Sequence, residues 1–269
     1  VGMSGVRLEA RVHLVTASTP SIQNIIKCAE RCDLSVAEVV LQPLASAGAV
    51  LSEDEKEIGV ALIDIGGGTT DLIIYVDGAV VHTSVVPIGG LNFTSDVATG
   101  LRTPVAEAER IKIKYGCAAT RMVDPEETIE VPSVGGRPPR TLPRSVLCDI
   151  LEPRAEEVFA ACRHIIQETG YADMLAAGAV ITGGATLLDG MPELGEQVMG
   201  IPVRRGAPIG IGGLIDVVKS PVYSTAVGLA KYGATRLRAA YVERDEPGRA
   251  ITHEGAWGSR LGQWFREVF

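Results

Sequence analysis

The sequence predicts a mixed α/β protein whose strands run into glycine turns, with ligands expected at those strand ends. Three observations point there. Apolar runs of strand length alternate with helical segments and end in glycines, as at residues 60–63 before Asp64-Ile65-Gly66-Gly67-Gly68 and at 179–182 before Gly183-Gly184. The composition is 46% hydrophobic with only 4% aromatic, which fits an aliphatic α/β core better than a β-sandwich. At 269 residues the chain can bury such a core in one large or two small domains.

The elements follow in order. Val6, Leu8, Val12 and Leu14 alternate with Arg7, Glu9, Arg11 and His13, which reads as a half-buried strand. An opening strand with no preceding partner leaves an edge, so the chain is expected to be the later part of a longer protein. Thr19 as N-cap and Pro20 as first helical residue open a helix carrying Ile22, Ile25, Ile26 and Ala29, to about Cys32. A short strand over 36–41 and a small-residue helix over about 44–51 lead to an acidic turn at 52–55. A strand, the triple-glycine turn, a second strand over 72–76, the Asp77-Gly78 turn and an extension over 79–86 make a glycine hairpin. Pro87-Ile88-Gly89-Gly90 breaks the sheet, and Thr103-Pro104 opens a helix ending at Tyr115-Gly116. Residues 117–143 read as short strands and turns with a proline-stiffened loop at 134–140, followed by a long helix from about Pro153 to Thr169. The buried strand 179–182 leads through Gly183-Gly184 to a further helix, and 201–204 is a short, edge-like strand. Ser220-Pro221 caps a helix to about Tyr232, and a polar linker spans about 243–255.

The octapeptide from Asp64 to Asp71, Asp-Ile-Gly-Gly-Gly-Thr-Thr-Asp, carries the most chemistry. Gly66, Gly67 and Gly68 have no Cβ, so the backbone amides of the turn can close on an anion. Thr69 and Thr70 add hydroxyl donors, and Asp64 places a carboxylate where a phosphate-bound Mg²⁺ would sit. Gly183-Gly184-Ala185 at a strand-to-helix junction would let a flat ligand approach the backbone, with a helix N-terminus favouring negative charge. Glu109 and Lys112 share one helix face at i, i+3 and could together grip a ribose and base. Gly90 would let adenosine lie close to the chain. Each feature alone has a plainer meaning, a tight turn or a solvated ion pair; their order along the chain is the stronger signal.

A net charge of −8 leaves no basic surplus to displace counterions, which argues against nucleic acid as the main partner. The five cysteines are odd in number and lack zinc spacing, and the four histidines adjoin no ligand cluster, so a reducing compartment and no structural metal are expected. No apolar run is long enough to span a bilayer, and no signal peptide is visible.

Residues 257–269 stand apart. At helical spacing Trp257, Leu261, Trp264, Phe265, Val268 and Phe269 fall within an arc of roughly 140°, with Arg260, Gln263, Arg266 and Glu267 on the other side. Both tryptophans and two of the four phenylalanines of the chain lie here. Behind a polar linker this describes an amphipathic helix lying on a membrane surface, too short to cross it. A helix docking back on its own domain, or into a groove of another protein, are the alternatives.

The order of phosphate hairpin, glycine pair, Glu-x-x-Lys helix and second strand-glycine turn resembles the superfamily of actin, heat-shock chaperones and sugar kinases. More specifically, the chain resembles the FtsA family of bacterial cell-division proteins over its whole length. Segments carrying the resemblance are Gly2-Met3-Ser4-Gly5-Val6-Arg7, the Asp64 to Asp71 octapeptide, Thr94-Ser95-Asp96-Val97-Ala98 and Ala108-Glu109-Arg110-Ile111-Lys112. Val131-Pro132-Ser133-Val134-Gly135-Gly136-Arg137-Pro138-Pro139-Arg140 and Tyr223-Ser224-Thr225-Ala226-Val227-Gly228-Leu229 are more specific to the family than the hairpin.

The resemblance implies an actin-like (ribonuclease H-like) nucleotide-binding fold, incomplete at the N-terminus, with a C-terminal amphipathic helix. Its subdomains would be a remnant of 1C (1–18), part of 1A (19–52 and 216–240), 2A (53–90 and 165–215) and 2B (91–164). A linker (241–256) and the membrane-targeting helix (257–269) would follow. It implies ATP and Mg²⁺ as cofactors, at most weak ATPase activity, self-association into filaments, and a site on the cytoplasmic face of the inner membrane at the division septum. The implied partner is the C-terminal tail of FtsZ, an acidic-apolar peptide, bound in 2B with Arg154 as the preferred basic contact and Arg140 as a weaker neighbour. A small-molecule kinase of the same superfamily, or a pilus-assembly relative of FtsA, are the alternative readings.

Overall fold

Residues 60–65 are apolar except for Asp64, and all six are buried in β1 (Val60–Ile65), the centre of a five-stranded sheet. The computed structural model describes residues 6–7, 12–212 and 218–244. Antiparallel to β1 runs β2 (Thr70–Val76), and antiparallel to that runs β3 (Ala79–Val86) at the sheet edge. On the other side of β1 lies β6 (Ala179–Thr182), parallel to it, and then β7 (Val203–Arg205), parallel again. The order β3-β2-β1-β6-β7 thus joins a meander to a parallel half. A separate antiparallel hairpin is formed by β4 (Thr128–Val131) and β5 (Arg140–Pro143).

Among the described residues run α1 (Thr19–Glu30), α2 (Gln42–Val50), α3 (Glu53–Ile58), α4 (Gly90–Leu101), α5 (Val105–Tyr115), α6 (Arg144–Glu168), α7 (Met191–Met199) and α8 (Ser224–Arg244). Helices α4 to α7 cover one face of the sheet, and α2 with α8 the other. Strand alternation sends Ala61, Ile63 and Ile65 of β1, with Leu72 and Ile74 of β2, into a large core shared with α4, α5, α6 and α7. Val60 and Leu62, with Ile73, Tyr75 and Val180, point the other way into a smaller core under α2. Against α2 lies α8, so closely that a Cβ on Gly228 would stand 1.8 Å from the carbonyl oxygen of Ala45. No helix among the described residues is long and apolar enough to cross a membrane.

Several expected elements differ. No strand forms over 36–41: Val36 and Val39 are exposed and no strand among the described residues pairs with them, so β-propensity finds no ladder there. The acidic turn at 52–55 is instead the start of α3, closed by a capping box between Ser52 and Glu55. At the start of α1, Ser18 rather than Thr19 occupies the cap position. The long helix begins at Arg144, with Pro153 inside it. Leu147, Cys148 and Leu151 before the proline and Ala155, Val158 and Phe159 after it all bury on one face. That burial outweighs the cost of about 3 kcal/mol that an interior proline imposes.

Gly183-Gly184 leads into a 3-10 turn (Gly184–Leu187) rather than an α-helix, and α7 starts only at Met191. Helix α8 continues past Tyr232 to Arg244, into the stretch expected as linker. Of the opening strand, residues 8–11 lie outside the described residues; Val12 and Leu14 are exposed, and His13 Nε2 lies 3.0 Å from Thr83 Oγ1. The amphipathic helix expected over 257–269, with Trp257, Leu261, Trp264, Phe265, Val268 and Phe269, also lies outside the described residues.

Candidate functional site

The ends of β1 and β6, the turn after each, and the start of α4 converge on a cleft of about 360 Å³. Its lining includes Gly66, Gly67, Gly90 and Gly184 with the charged Glu109 and Lys112. The apolar lining residues are Leu91, Phe93, Ile113, Ala185, Leu187, Leu188 and Val222. Seven positions singled out from the sequence therefore meet in one cavity. Gly68, Thr69, Thr70 and Gly183 adjoin it in the chain without lining it.

The triple-glycine turn closes on itself through Gly66 N–H to Thr69 O at 2.9 Å. Helix α4 then grips the turn from the side: Gly90 N–H donates to Gly66 O at 2.8 Å and Leu91 N–H to Gly67 O at 2.7 Å. Such proximity requires Gly89, where a Cβ would come within 2.7 Å of Gly67 O. Around Gly67 and Gly68, in contrast, no atom lies within 4 Å of where a Cβ would stand. The outer side of the turn is thus open space of the kind a phosphate group needs, with no side chain in the way.

Of the two threonines after the turn, Thr69 is exposed and Thr70 is engaged within the protein. Thr70 Oγ1 donates to Ile88 O at 2.8 Å and is buried, so it ties β2 to the segment before α4 instead of facing a ligand. The Asp71 carboxyl is pushed up to about 6 by burial first and by the neighbouring Asp64 second. Asp64 and Asp71 are direct cross-strand partners, and Asp64 and Thr182 pair on the other side, so all three occupy the α2 face of the sheet. Asp64 is 3% exposed, and its Oδ2 accepts from Ser46 Oγ of α2 at 2.6 Å. Its Oδ1 lies beside Gly183, where a Cβ would be only 2.5 Å away. That glycine has φ +90°, a second reason for its identity.

Glu109 and Lys112 of α5 form an ion pair at 2.7 Å, and both reach the start of α4. Lys112 Nζ donates to Gly90 O at 3.0 Å and to Thr94 Oγ1 at 2.8 Å, and Thr94 in turn donates to Glu109. Burial works to raise the Glu109 carboxyl, but hydrogen bonds from Lys112 and Thr94 outweigh it and hold the group below its usual value. The sequence shows the Glu-x-x-Lys spacing but not Thr94, whose role depends on α4 lying against α5. Ile113, Leu187, Leu188 and Val222 were equally invisible as a group, since they come from three separate segments.

Arg154 and Arg140, expected as partner contacts, both attach to α4. Arg154 makes a two-pronged pair with Asp96, at 2.6 and 3.1 Å, and a further contact with Glu157. It sits inside α6 rather than at its start, and the Asp96 hydrogen bonds raise its pKa further. Arg140 donates to Leu101 O at the end of α4.

A meander running into parallel strands, helices on both faces and a glycine-lined cleft at the strand ends define the actin-like fold. Solved structures share it: MreB5 of Spiroplasma citri bound to ADP superposes with a TM-score of 0.66 at 16% identity, over 84% of this chain and 68% of that one. The MamK double helical filament gives a TM-score of 0.58 at 16% identity, over 80% of this chain and 66% of that one. Residues 61–228 match the family model described as "Cell division protein FtsA", and the chain belongs to that family. It is 52% identical over 233 residues to the cell division protein FtsA of Pseudomonas aeruginosa, covering 87% of this chain and 56% of that protein. It is 43% identical over 276 aligned positions to that of Escherichia coli K12, and 45% identical over 272 to that of Neisseria meningitidis serogroup B. Both alignments cover 100% of this chain and 65% of the relative, so the chain spans less than two thirds of the curated relatives it matches.

Proposed function

We propose that this chain contributes the glycine-lined half of an ATP site to an actin-like cell-division protein that forms filaments and anchors FtsZ to the inner face of the membrane at the septum. The observation that carries the reading is the cleft itself, in which open backbone at Gly67 and Gly184, the Glu109–Lys112 pair and an apolar wall meet. Phosphates suit the first, ribose hydroxyls the second, and a base the third. Asp64, with Oδ2 held by Ser46, is the carboxylate suited to a phosphate-bound Mg²⁺, which would supply charge neutralisation on the phosphates. Filament formation is supported by the fold shared with a filament-forming protein, and the FtsZ and membrane roles by family membership and the pattern of residues 257–269. For Arg154 to meet an acidic tail, its fork would have to be shared with Asp96.

Titration of a fluorescent ATP analogue into the full natural chain tests the site. Lys112→Ala removes a charged donor worth about 1.5–3 kcal/mol, so binding should weaken by about 10- to 100-fold. Equal affinity in the wild type and the variant overturns the assignment. Removal of residues 257–269 should abolish co-sedimentation with anionic liposomes, and retained co-sedimentation would place the anchor elsewhere.

A further inference from the structure

Two hydroxyls meet beside Asp64, that of buried Ser46 and that of half-buried Thr225. Ser46 Oγ donates to Asp64 Oδ2 at 2.6 Å, Thr225 Oγ1 lies 3.4 Å from the same oxygen, and the two hydroxyls are 2.9 Å apart. A serine hydroxyl has one proton, and that of Ser46 goes to Asp64. The contact between the hydroxyls therefore has Thr225 donating to Ser46, which makes a directed chain Thr225 to Ser46 to Asp64. Ser46 donates to one oxygen of the carboxylate, and Thr225 stands behind that hydroxyl. The other oxygen, Oδ1, lies close against Gly183, where a Cβ would stand 2.5 Å away.

The hydroxyls come from different helices, Ser46 from α2 and Thr225 from the first turn of α8, and those helices cross at Gly228 against Ala45. Thr182, the partner of Asp64 on β6, is likewise held by α8, through Ser224 Oγ at 2.6 Å. Asp71 opposes Asp64 on β2 and pushes against its charge. The Ser46 hydrogen bond holds the Asp64 side chain against that repulsion.

We propose that Ser46 and Thr225 are positioning residues that fix the rotamer of Asp64 so that it can serve a cation carried on the bound nucleotide. The proposal rests on the nucleotide reading above. Groups that orient a metal-associated carboxylate typically change metal affinity by about 10- to 100-fold when removed. The ligand-free fold depends on them less, because α2 and α8 also meet through apolar contacts.

The test is the affinity of a fluorescent ATP analogue for the full natural chain, measured in Mg²⁺ and in EDTA. Wild type should bind more tightly with Mg²⁺. Ser46→Ala and Thr225→Val should lose about tenfold of that Mg²⁺-dependent gain while keeping the affinity seen in EDTA. Thr225→Ser, which retains the hydroxyl, should restore it. If both variants keep the full Mg²⁺ effect, or lose affinity equally in Mg²⁺ and EDTA, the positioning role is overturned while the nucleotide site stands. If the wild type binds nucleotide in neither condition, the site reading itself fails and the inference with it.

Discussion

Glu55 takes its role from one neighbour in sequence and one far away. Its carboxylate accepts from Ser52 N–H at 2.9 Å and Ser52 Oγ at 3.1 Å, and from Arg204 of β7 at 2.7 and 2.8 Å. Burial tends to raise the carboxyl, but the Ser52 backbone and the Arg204 guanidinium hold it below its ordinary 4.5. A folded-state value below the unfolded one means that the group stabilises the fold above about pH 4.5, and that this contribution disappears as pH falls through the folded value. Urea unfolding should therefore show Glu55→Gln less stable than wild type at neutral pH, with the difference shrinking on acidification. Ser52→Ala, which removes the cap, should cost about 1 kcal/mol at neutral pH. A gap between Glu55→Gln and wild type that stays constant down to about pH 3 would refute the linkage. The Ser52-x-x-Glu55 spacing is visible in the sequence, where it suggests a turn; the Arg204 partner is not, being 149 residues away. The same division holds at the cleft. Glycines report a local backbone need, so Gly66, Gly67, Gly90 and Gly184 were legible, whereas the partners of Thr70 (Ile88 O) and Arg154 (Asp96) depend on the tertiary fold.

At the scale of elements, strands that are apolar on both faces were the most legible. Each of β1, β2 and β6 is a short continuous run bounded by turn residues, and each is buried throughout. Helix limits were harder to read because proline has two meanings. Pro20 and Pro43 lie in the first turns of α1 and α2, where no amide partner is needed, while Pro153 lies within α6. Periodicity separates the cases: Leu147, Leu151, Val158 and Cys162 continue one apolar face across Pro153. The strand expected at 36–41 failed for the opposite reason. Its residues suit a strand, but a strand exists only with a neighbour, and none of the described strands lies beside it. Helix α4 gives the cleft its shape. Its first amides hold the glycine turn, Thr94 one turn later holds Glu109 and Lys112, and Asp96 holds Arg154 of α6. One helix thus links the open backbone of the turn to the surface proposed for a partner.

For the molecule as a whole, the sheet separates two cores with different tasks. The larger core, beneath α4 to α7, includes Phe93 at the cleft, while the smaller one holds α2 and α8 over the Asp71–Asp64–Thr182 row. This division gives Gly228 a consequence beyond packing. Gly228→Ala would put a methyl 1.8 Å from the Ala45 carbonyl oxygen, so α8 must move away from α2. The strain should lower stability by about 1–3 kcal/mol. Displacing α8 would also carry Thr225 and Ser224 away from Asp64 and Thr182. Phe159→Leu, which leaves a gap in the other core against Gly195 of α7, should destabilise to a similar degree without disturbing those hydroxyls. The two variants can therefore be compared at similar stability. Gly228→Ala should lose the Mg²⁺-dependent part of nucleotide affinity, and Phe159→Leu should retain it. If both lose it equally, general loosening of the fold accounts for the effect, and the crossing of α2 and α8 has no special connection to the cation end of the site.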